Sequence, residues 1–500
     1  MQASAEKLAN AETATNAETS TNAETSAHKG APAKVAVVGA GLAGSEAAWQ
    51  LAERGVSVKL YEMRPKQSSP AHKSEQCAEL VCSNSFKSLN PHSAAGCLKA
   101  ELAAMGSFVL RCATKTQVPA GSALAVDRER FAAEVTAALR AHPNIELITH
   151  EIQSLTEVQA DNCAYTIVAT GPLTSDAFAA HLAQILGESY LSFYDAAAPI
   201  VSADSLNYQT LFAQSRYNKG SVDYLNAPFD QASYDAFIGE LVAAERVIKR
   251  DFEKKELFAA CQPVEEVARL SADALRFGAL KPVGLTNPAT ERRPWAAVQL
   301  RAENSERSAY NLVGFQTNLT FSEQERVFRL IPGLEQAEFL RFGVMHRNTF
   351  VNAPLALGHS FELHKNPTVF LAGQLTGTEG YTEAIASGLL AALNVYARLT
   401  GAAPVTLPPQ TCFGALVNYA TNPQTVDYQP MHVNFGIMPA LETPIRNKRQ
   451  RYEAYAERSR LALKEFIEQR SELAFLPAFE FLVDEMASPQ GLSANEAEHE

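Results

Sequence analysis

Short apolar runs alternate with amphipathic stretches over residues 33 to 171, and the period of each run predicts its element. Lys34-Val-Ala-Val-Val38 reads as a strand that runs into Gly39, Gly41 and Gly44. The stretch from about Ala43 to Arg54 follows, with Ala48, Leu51 and Ala52 on one side and Gly55 placed to stop it, so it predicts a helix. Val56 to Glu62 predicts a second strand, ending in an acid 18 positions after Gly44. Asp127 stands where it can N-cap a helix that carries Phe131, Val135 and Leu139 on one face. Asn144 to Thr149 alternates like a strand, and Tyr165 to Gly171 is an apolar strand closing on a small turn. From about Phe193 to about Met345 this alternation gives way to Tyr, Arg and Lys in Pro-punctuated segments, which predicts an inserted domain. The earlier pattern returns at Thr368-Val-Phe-Leu-Ala-Gly-Gln374 and Thr376-Gly-Thr-Glu-Gly-Tyr381, followed by a helix to about Gly401.

The first strand, glycine turn, helix and acid-ended strand are the parts of a dinucleotide-binding βαβ unit. Gly39 permits the tight turn, Gly41 lets the backbone approach a pyrophosphate at the helix N-terminus, and Gly44 lets helix and strand close up. Glu62 is placed to accept from a ribose 2′-hydroxyl and to repel a 2′-phosphate, which favours FAD or NAD as the resident nucleotide. The late strand and glycine-rich turn are what would cover the far end of an extended FAD, so both halves together point to FAD. The expected fold is therefore α/β, a Rossmann-like FAD-binding domain with an inserted α/β domain. The expected divisions are 1–32, a repeat-bearing disordered tail; 33–192 and 346–470, the two parts of the FAD-binding domain, the second with C-terminal helices; 193–345, the insert, on the substrate side; and 471–500, a flexible acidic tail.

Composition narrows the partners. The 500 residues carry a formal charge of −12, so any nucleic-acid partner must meet a local basic face. Candidates are Arg246, Lys249, Arg250, Lys254, Lys255, Arg292, Arg293 and the cluster Arg446-Asn-Lys-Arg-Gln-Arg451, each of which taken alone reads as a solvated surface charge. The seven cysteines show neither CxxC nor Cys/His ligand spacing, which predicts no disulfide framework and no metal site, and fits a reducing cytoplasm. No apolar run approaches the ~20 residues of a membrane span, and the first residues lack a secretory signal. The hexapeptide repeat at Asn10-Ala-Glu-Thr, Asn16-Ala-Glu-Thr and Asn22-Ala-Glu-Thr holds only small and polar residues and cannot bury a core.

A set of motifs spread along the chain is more specific than any one glycine turn. It comprises Gly39-Ala-Gly-Leu-Ala-Gly44, Glu79-Leu-Val-Cys-Ser-Asn-Ser85, Val118-Pro-Ala-Gly121, Tyr194-Asp-Ala-Ala-Ala-Pro199, Lys281-Pro-Val-Gly-Leu285, Val313-Gly-Phe-Gln-Thr317, Met345-His-Arg-Asn-Thr-Phe350 and Ala372-Gly-Gln374. In these residues, over about 33 to 460, the chain resembles the folate- and FAD-dependent tRNA (uracil-5-)-methyltransferases, the TrmFO family. The resemblance implies transfer of a methylene group from 5,10-methylenetetrahydrofolate to uridine 54 of the tRNA T loop, with reduced FAD completing the methyl group and NAD(P)H reducing the flavin. No second glycine-turn unit is present, so NAD(P)H would visit the flavin without a nucleotide domain of its own.

Such chemistry needs a reactive thiol, because C5 of uracil becomes nucleophilic only after addition at C6. A cysteine is by default a small buried apolar residue, and Cys97, Cys112, Cys163 and Cys412 keep that reading. The resemblance singles out Cys82, in a polar loop with Lys73 and Lys87 near in sequence, and Cys261 in Phe258-Ala-Ala-Cys-Gln-Pro-Val-Glu265. Cys82 is assigned as nucleophile and Cys261 as acid/base partner, with the reverse assignment open. For the cofactor it implies Gly39, Ala40, Gly41, Leu42, Ala43, Gly44, Glu62, Arg64, Gly373, Gln374, Glu379, Gly380 and Tyr381, although a carboxylate at a helix start is commonly a cap. His346, Arg347 and Asn348 are the folate candidates, against the alternative of interdomain hydrogen bonds. Two other readings fit parts of the chain: a GidA-type wobble-uridine enzyme, which usually has a longer C-terminal helical region, and a flavin-bound RNA or surface interaction protein without turnover. A homodimer is compatible with all three.

Overall fold

The computed structural model describes residues 33–69, 71–187, 190–196, 198–218, 224–247, 262–304, 306–425 and 428–480, the side chains of 190–196, 218 and 346–347 excepted. The repeat segment, Lys249, Arg250, Lys254, Lys255, Cys261 and residues 481–500 lie outside them.

Lys34–Val38 is the centre of a six-stranded sheet. It pairs in parallel with Ser57–Glu62 on one side, Val35 opposite Val58, and with Tyr165–Val168 on the other, Val38 opposite Val168. Ile145–Thr149 and Asn366–Leu371 extend the sheet in parallel on the two flanks, and Glu362–Leu363 closes one edge antiparallel. Val35, Ala36 and Val37 are fully buried. A strand covered on both faces must be apolar at successive positions, which is why it reads as a run and not as an alternation. The chain first winds to one side of this strand and later to the other, so the carboxyl end of Lys34–Val38 is a switch point, the place where open α/β sheets hold ligands.

Two helices meet above that point. The turn helix, Leu42–Glu53, leaves the glycine turn directly, and a Cβ on Gly44 would stand 1.8 Å from the carbonyl oxygen of Gly39. The late helix, Tyr381–Thr400, crosses it at Gly388, where a Cβ would stand 2.2 Å from the carbonyl oxygen of Ala43. No side chain fits at either contact, so the two backbones nearly touch.

The second sheet is antiparallel throughout, in the order Phe212–Ala213, Tyr224–Phe229, Ala296–Ala302, Ala309–Leu312, Ile200–Ser202, Phe339–Arg341. Gln231–Ala243 and Phe321–Phe328 cover it with a core of its own around Phe229, Phe237, Phe315 and Phe328. An antiparallel ribbon, Tyr190–Ala196 against Met345–Val351, lies between the sheets in sequence on both passes of the chain.

The chain stays folded further toward its C-terminus than expected. Residues 471–480 are not a loose tail, since Leu473 is fully buried and its carbonyl accepts from Arg54 Nε at 2.8 Å. Two interior carboxylates fasten the helical layer. Glu46 of the turn helix accepts from the backbone N–H groups of Phe108 and Val109 at 3.1 and 2.8 Å, at the start of the helix Phe108–Lys115. Glu101, on the helix Ala94–Ala104, accepts from the N–H groups of Cys412 and Phe413 at 2.7 and 2.8 Å, which begin the helix Cys412–Thr421. It also accepts from the hydroxyl of Ser459 on the helix Lys448–Gln469. Each satisfies donors that a helix start leaves free, in surroundings where no water replaces them. Glu101→Ala strands those donors and is expected to cost about 3–5 kcal/mol in chemical denaturation, with Glu101→Gln costing less.

Candidate functional site: the cysteine loop and the two glycine turns

The segment after Glu62 is fastened to the nucleotide turn. Ala78 N–H donates to the carbonyl of Ala40 at 2.8 Å, and Ala40 N–H donates to Glu62 Oε2 at 3.0 Å. Arg64 lies between two acids, with Nε 2.8 Å from Glu62 and Nη1 3.0 Å from Glu79. Burial pushes the Glu62 carboxyl up, but the bonds and charge of Arg64 outweigh it and hold the acid below its ordinary range. The Arg64 guanidinium therefore orients Glu62 and anchors the loop.

Cys82 is half-buried at the tip of this loop. The N–H groups of Cys82 and Ser83 both donate to the hydroxyl of Tyr381 at 3.0 Å. Arg128 Nη2 donates to the Cys82 carbonyl at 3.3 Å and its Nη1 to the Leu80 carbonyl, while Arg341 Nη2 donates to the Val81 carbonyl. Asn84 donates to the carbonyls of Val126 and Ala302 at 3.0 Å each and accepts from Arg301 Nε at 2.8 Å. Glu303 neutralises Arg128. Burial, and after it the repulsion of Arg128, hold the Arg341 guanidinium below its ordinary value. Two guanidinium groups thus face one carboxylate beside the thiol.

These cations are not the ones expected from sequence. Lys73 Nζ reaches the Leu340 carbonyl at 3.5 Å and feels the charges of Arg341 and Arg128, and Lys87 Nζ meets His432 Nδ1 at 2.7 Å and Glu383 at 3.7 Å. Arg128 carried a signal, as the residue after the helix-capping Asp127. Arg341 carried none, because only the pairing of Phe339–Arg341 with Ile200–Ser202 brings it in.

The late turn completes the site. Gly373 N–H donates to Ser387 Oγ at 2.6 Å, and the Gln374 amide bonds to the Glu379 carboxylate. Glu379 is therefore not the helix cap; Gly380 holds the N-cap position before Tyr381, and no side chain caps the late helix. The Tyr381 hydroxyl, expected near the cofactor, is taken by the cysteine loop, and burial holds its phenol well above its usual value. Asn348 is fully buried on the ribbon, where Thr349 N–H donates to the Pro172 carbonyl at 3.0 Å, beside the first sheet. The side chains of His346 and Arg347 are outside the described set.

A dinucleotide fits the turn. A Cβ on Gly41 would have nothing within 4 Å, so open space stands at the start of the turn helix, which no side chain caps. Gly39, Gly41, Glu62, Ile152 and Thr170 line this cleft. Sequence spacing concealed one further cluster. The thiols of Cys97 and Cys412 and the carboxylate of Glu101 lie within 4.8 Å of one another, fully buried. Among the expected basic residues, Arg246 is paired with Glu266 at 2.6 Å and Arg449 with Glu453 at 2.9 Å.

Comparison with known proteins adds the family. A family model described as Glucose inhibited division protein A matches residues 34–403. The methylenetetrahydrofolate-tRNA-(uracil-5-)-methyltransferase TrmFO of Moorella thermoacetica is 52% identical over 426 residues, covering 85% of this chain and 96% of that protein. That of Pelotomaculum thermopropionicum is 50% identical over 434 residues, 87% and 98% of the two chains. The chain belongs to the TrmFO family. Its fold is that of Aquifex aeolicus GidA, with a TM-score of 0.63 at 16% identity over 89% of this chain and 75% of that one.

In this TrmFO chain the strand that follows the cysteine loop, Ser85–Ser88, is held from below by a buried lysine. Lys99 Nζ donates to the carbonyls of Ser88 and Ala95 at 2.9 and 3.0 Å. Burial pulls its ammonium group down to about 7 from the usual 10.5, with Glu383 opposing and Lys87 adding to the shift. Between those values the unfolded chain holds a proton that the folded chain has released, so this residue makes folding more favourable as pH rises through the window. Chemical denaturation is expected to show wild type gaining about 2 kcal/mol relative to Lys99→Met between pH 7 and pH 9.

Proposed function

We propose that this chain forms 5-methyluridine at position 54 of the tRNA T loop, taking a methylene group from 5,10-methylenetetrahydrofolate, with FAD as resident cofactor and NAD(P)H as electron source. The observation that carries this reading is the Cys82 loop, fixed by Tyr381, Arg128 and Arg341 between the nucleotide turn and the second sheet. Addition of a thiolate to uracil C6 pushes electron density onto C5, which attacks the methylene carbon; a base then takes the C5 proton as the bond from that carbon to the folate nitrogen breaks and tetrahydrofolate leaves with the electron pair, and once a hydride has reduced the exocyclic methylene the thiolate is expelled from C6 as the ring double bond re-forms. Bound FAD in its reduced form supplies the hydride that makes the methylene a methyl.

The chain's own residues prepare each step. Guanidinium groups beside a thiol favour its anionic, nucleophilic form, the part assigned to Arg128 and Arg341. The Tyr381 hydroxyl fixes the backbone at Cys82 and Ser83, so that the thiol meets a uridine flipped from its loop. Cys261, on the inserted segment, is assigned the acid/base role. Gly39 to Gly44 and Glu62 hold the adenosine and pyrophosphate end of FAD, with Arg64 orienting Glu62; Gly373, Gln374, Glu379 and Gly380 border its far end. His346, Arg347 and Asn348 are assigned to folate. We take residues 193–345 as the substrate-side domain. The substrates place the protein in the cytoplasm, and a homodimer is compatible with the site.

The test is methyluridine formation on tRNA with methylenetetrahydrofolate and NADPH, which a flavin reductase or a non-catalytic binder would not give. Cys82→Ala is expected to keep bound FAD and to lose methylation at least about a thousandfold; a variant as active as wild type removes the thiol mechanism. Tyr381→Phe leaves two loop N–H groups without their acceptor, and kcat is expected to fall about 10–100-fold with flavin content retained.

A further inference from the structure

The strand Ala296–Ala302 has the cysteine loop at one end only. There, Ala302 and Arg301 bond to Asn84. At the other end Trp295 borders an open groove lined also by Arg276, Phe277, Lys281, Arg292 and Arg293. At about 3.3 Å per residue, the distance from Trp295 to Arg301 is about 20 Å. The groove and the cysteine loop are therefore fixed relative to each other by one strand in the middle of the second sheet.

The groove has a composition unlike the chain around it. In a protein of net charge −12, four lining residues are cationic and Asp230 is its one carboxylate. Asp230 is spent on capping, accepting from Ser233 N–H at 2.8 Å and Ser233 Oγ at 2.6 Å. Lys281, Arg292 and Arg293 are exposed and make no ion pair with a described residue. Arg276 is fixed flat against an aromatic: its guanidinium carbon lies 3.7 Å from the Trp295 ring centre, and its Nε donates to the Trp295 carbonyl at 3.1 Å. Next to it, the Phe277 ring is 5.3 Å from the same guanidinium and 69% exposed. The wall carrying Lys281 is itself braced, since Arg216 donates to the Lys281 carbonyl, to the Val283 carbonyl at 2.9 Å and to Gln299 at 2.9 Å.

A planar cation held in place by Trp295 and Asp273, an exposed aromatic ring and three cations without an ion pair among the described residues answer to a strand of RNA. Bases stack on guanidinium planes and aromatic rings, and phosphates take the surrounding charges. An acidic peptide would use the cations but not the planar surfaces. We propose that this groove is a second docking site for the RNA substrate, holding an unstacked nucleotide and its flanking phosphates about 20 Å from the reacting uridine. The proposal rests on the methyltransferase reading for the identity of the RNA.

The experiment compares full-length tRNA with a T-loop hairpin whose stem is too short to reach the groove, using FAD-loaded wild type, Arg292→Ala/Arg293→Ala and Phe277→Ala. Both variants are expected to raise KM for full-length tRNA about tenfold while leaving kcat and KM for the hairpin near wild type. The slope of log affinity for labelled tRNA against log salt should fall by about 2 in the double variant and stay unchanged in Phe277→Ala. NADPH oxidation equal to wild type confirms that each variant is folded. Equal effects on the two RNAs, or none, overturn the proposal. So does binding of polyglutamate that the variants lose while tRNA binding stays intact, which would make the groove a site for an acidic protein. If wild type methylates neither RNA, the methyltransferase reading fails, and the salt slope still decides the groove.

Discussion

The near-contact of two backbones at Ala43 and Gly388 sets the geometry of the site. It brings the start of the late helix beside the glycine turn, and Tyr381 is the first residue of that helix. From there its hydroxyl reaches the N–H groups of Cys82 and Ser83. A side chain at residue 388 would push the helices apart by more than a hydrogen bond tolerates, so a packing contact in the core governs the position of a thiol on a loop.

The loop has no regular structure to supply its hydrogen bonds, so its backbone groups are satisfied by side chains from elsewhere. Arg128, Arg341, Asn84 and Tyr381 take over that role. A buried backbone group left unbonded is costly, which makes each of these side chains structural as well as electrostatic. The same guanidinium groups that tie down the carbonyls of Leu80, Val81 and Cys82 also place positive charge beside the thiol. Glu303 keeps one of them from being an unpaired buried cation.

Sequence pattern was informative wherever the contact is local. The glycine turn, the helix from Asp127 with Phe131, Val135 and Leu139 fully buried, and the return of the fold at Thr368 all follow from spacing within a few residues. It was blind to partners joined by the fold alone. Arg341 reaches Val81 across 260 positions, and the proximity of Cys97 to Cys412 depends on two helices meeting. Residues 471–480 were misjudged because they were grouped with the acidic end of the chain, whereas buried Leu473, its carbonyl bonded to Arg54, and Phe475 and Phe479 packed on the core hold the segment down. Lys87 lies five positions after Cys82, and its ammonium group is held by Glu383 and His432, partners that the fold brings in from far along the chain.

The parallel strand Asn366–Leu371 sits directly beside Tyr165–Val168, and Glu101 receives one of its donors from Ser459. During synthesis, the ribosome therefore releases the glycine turn and the cysteine loop long before the strand that completes their sheet and the hydroxyl that helps satisfy an interior carboxylate. The second sheet, whose strands are all made in the interval, can close first on its own aromatic core. The nascent nucleotide-binding half must wait, with an open strand edge, for its last partner to emerge.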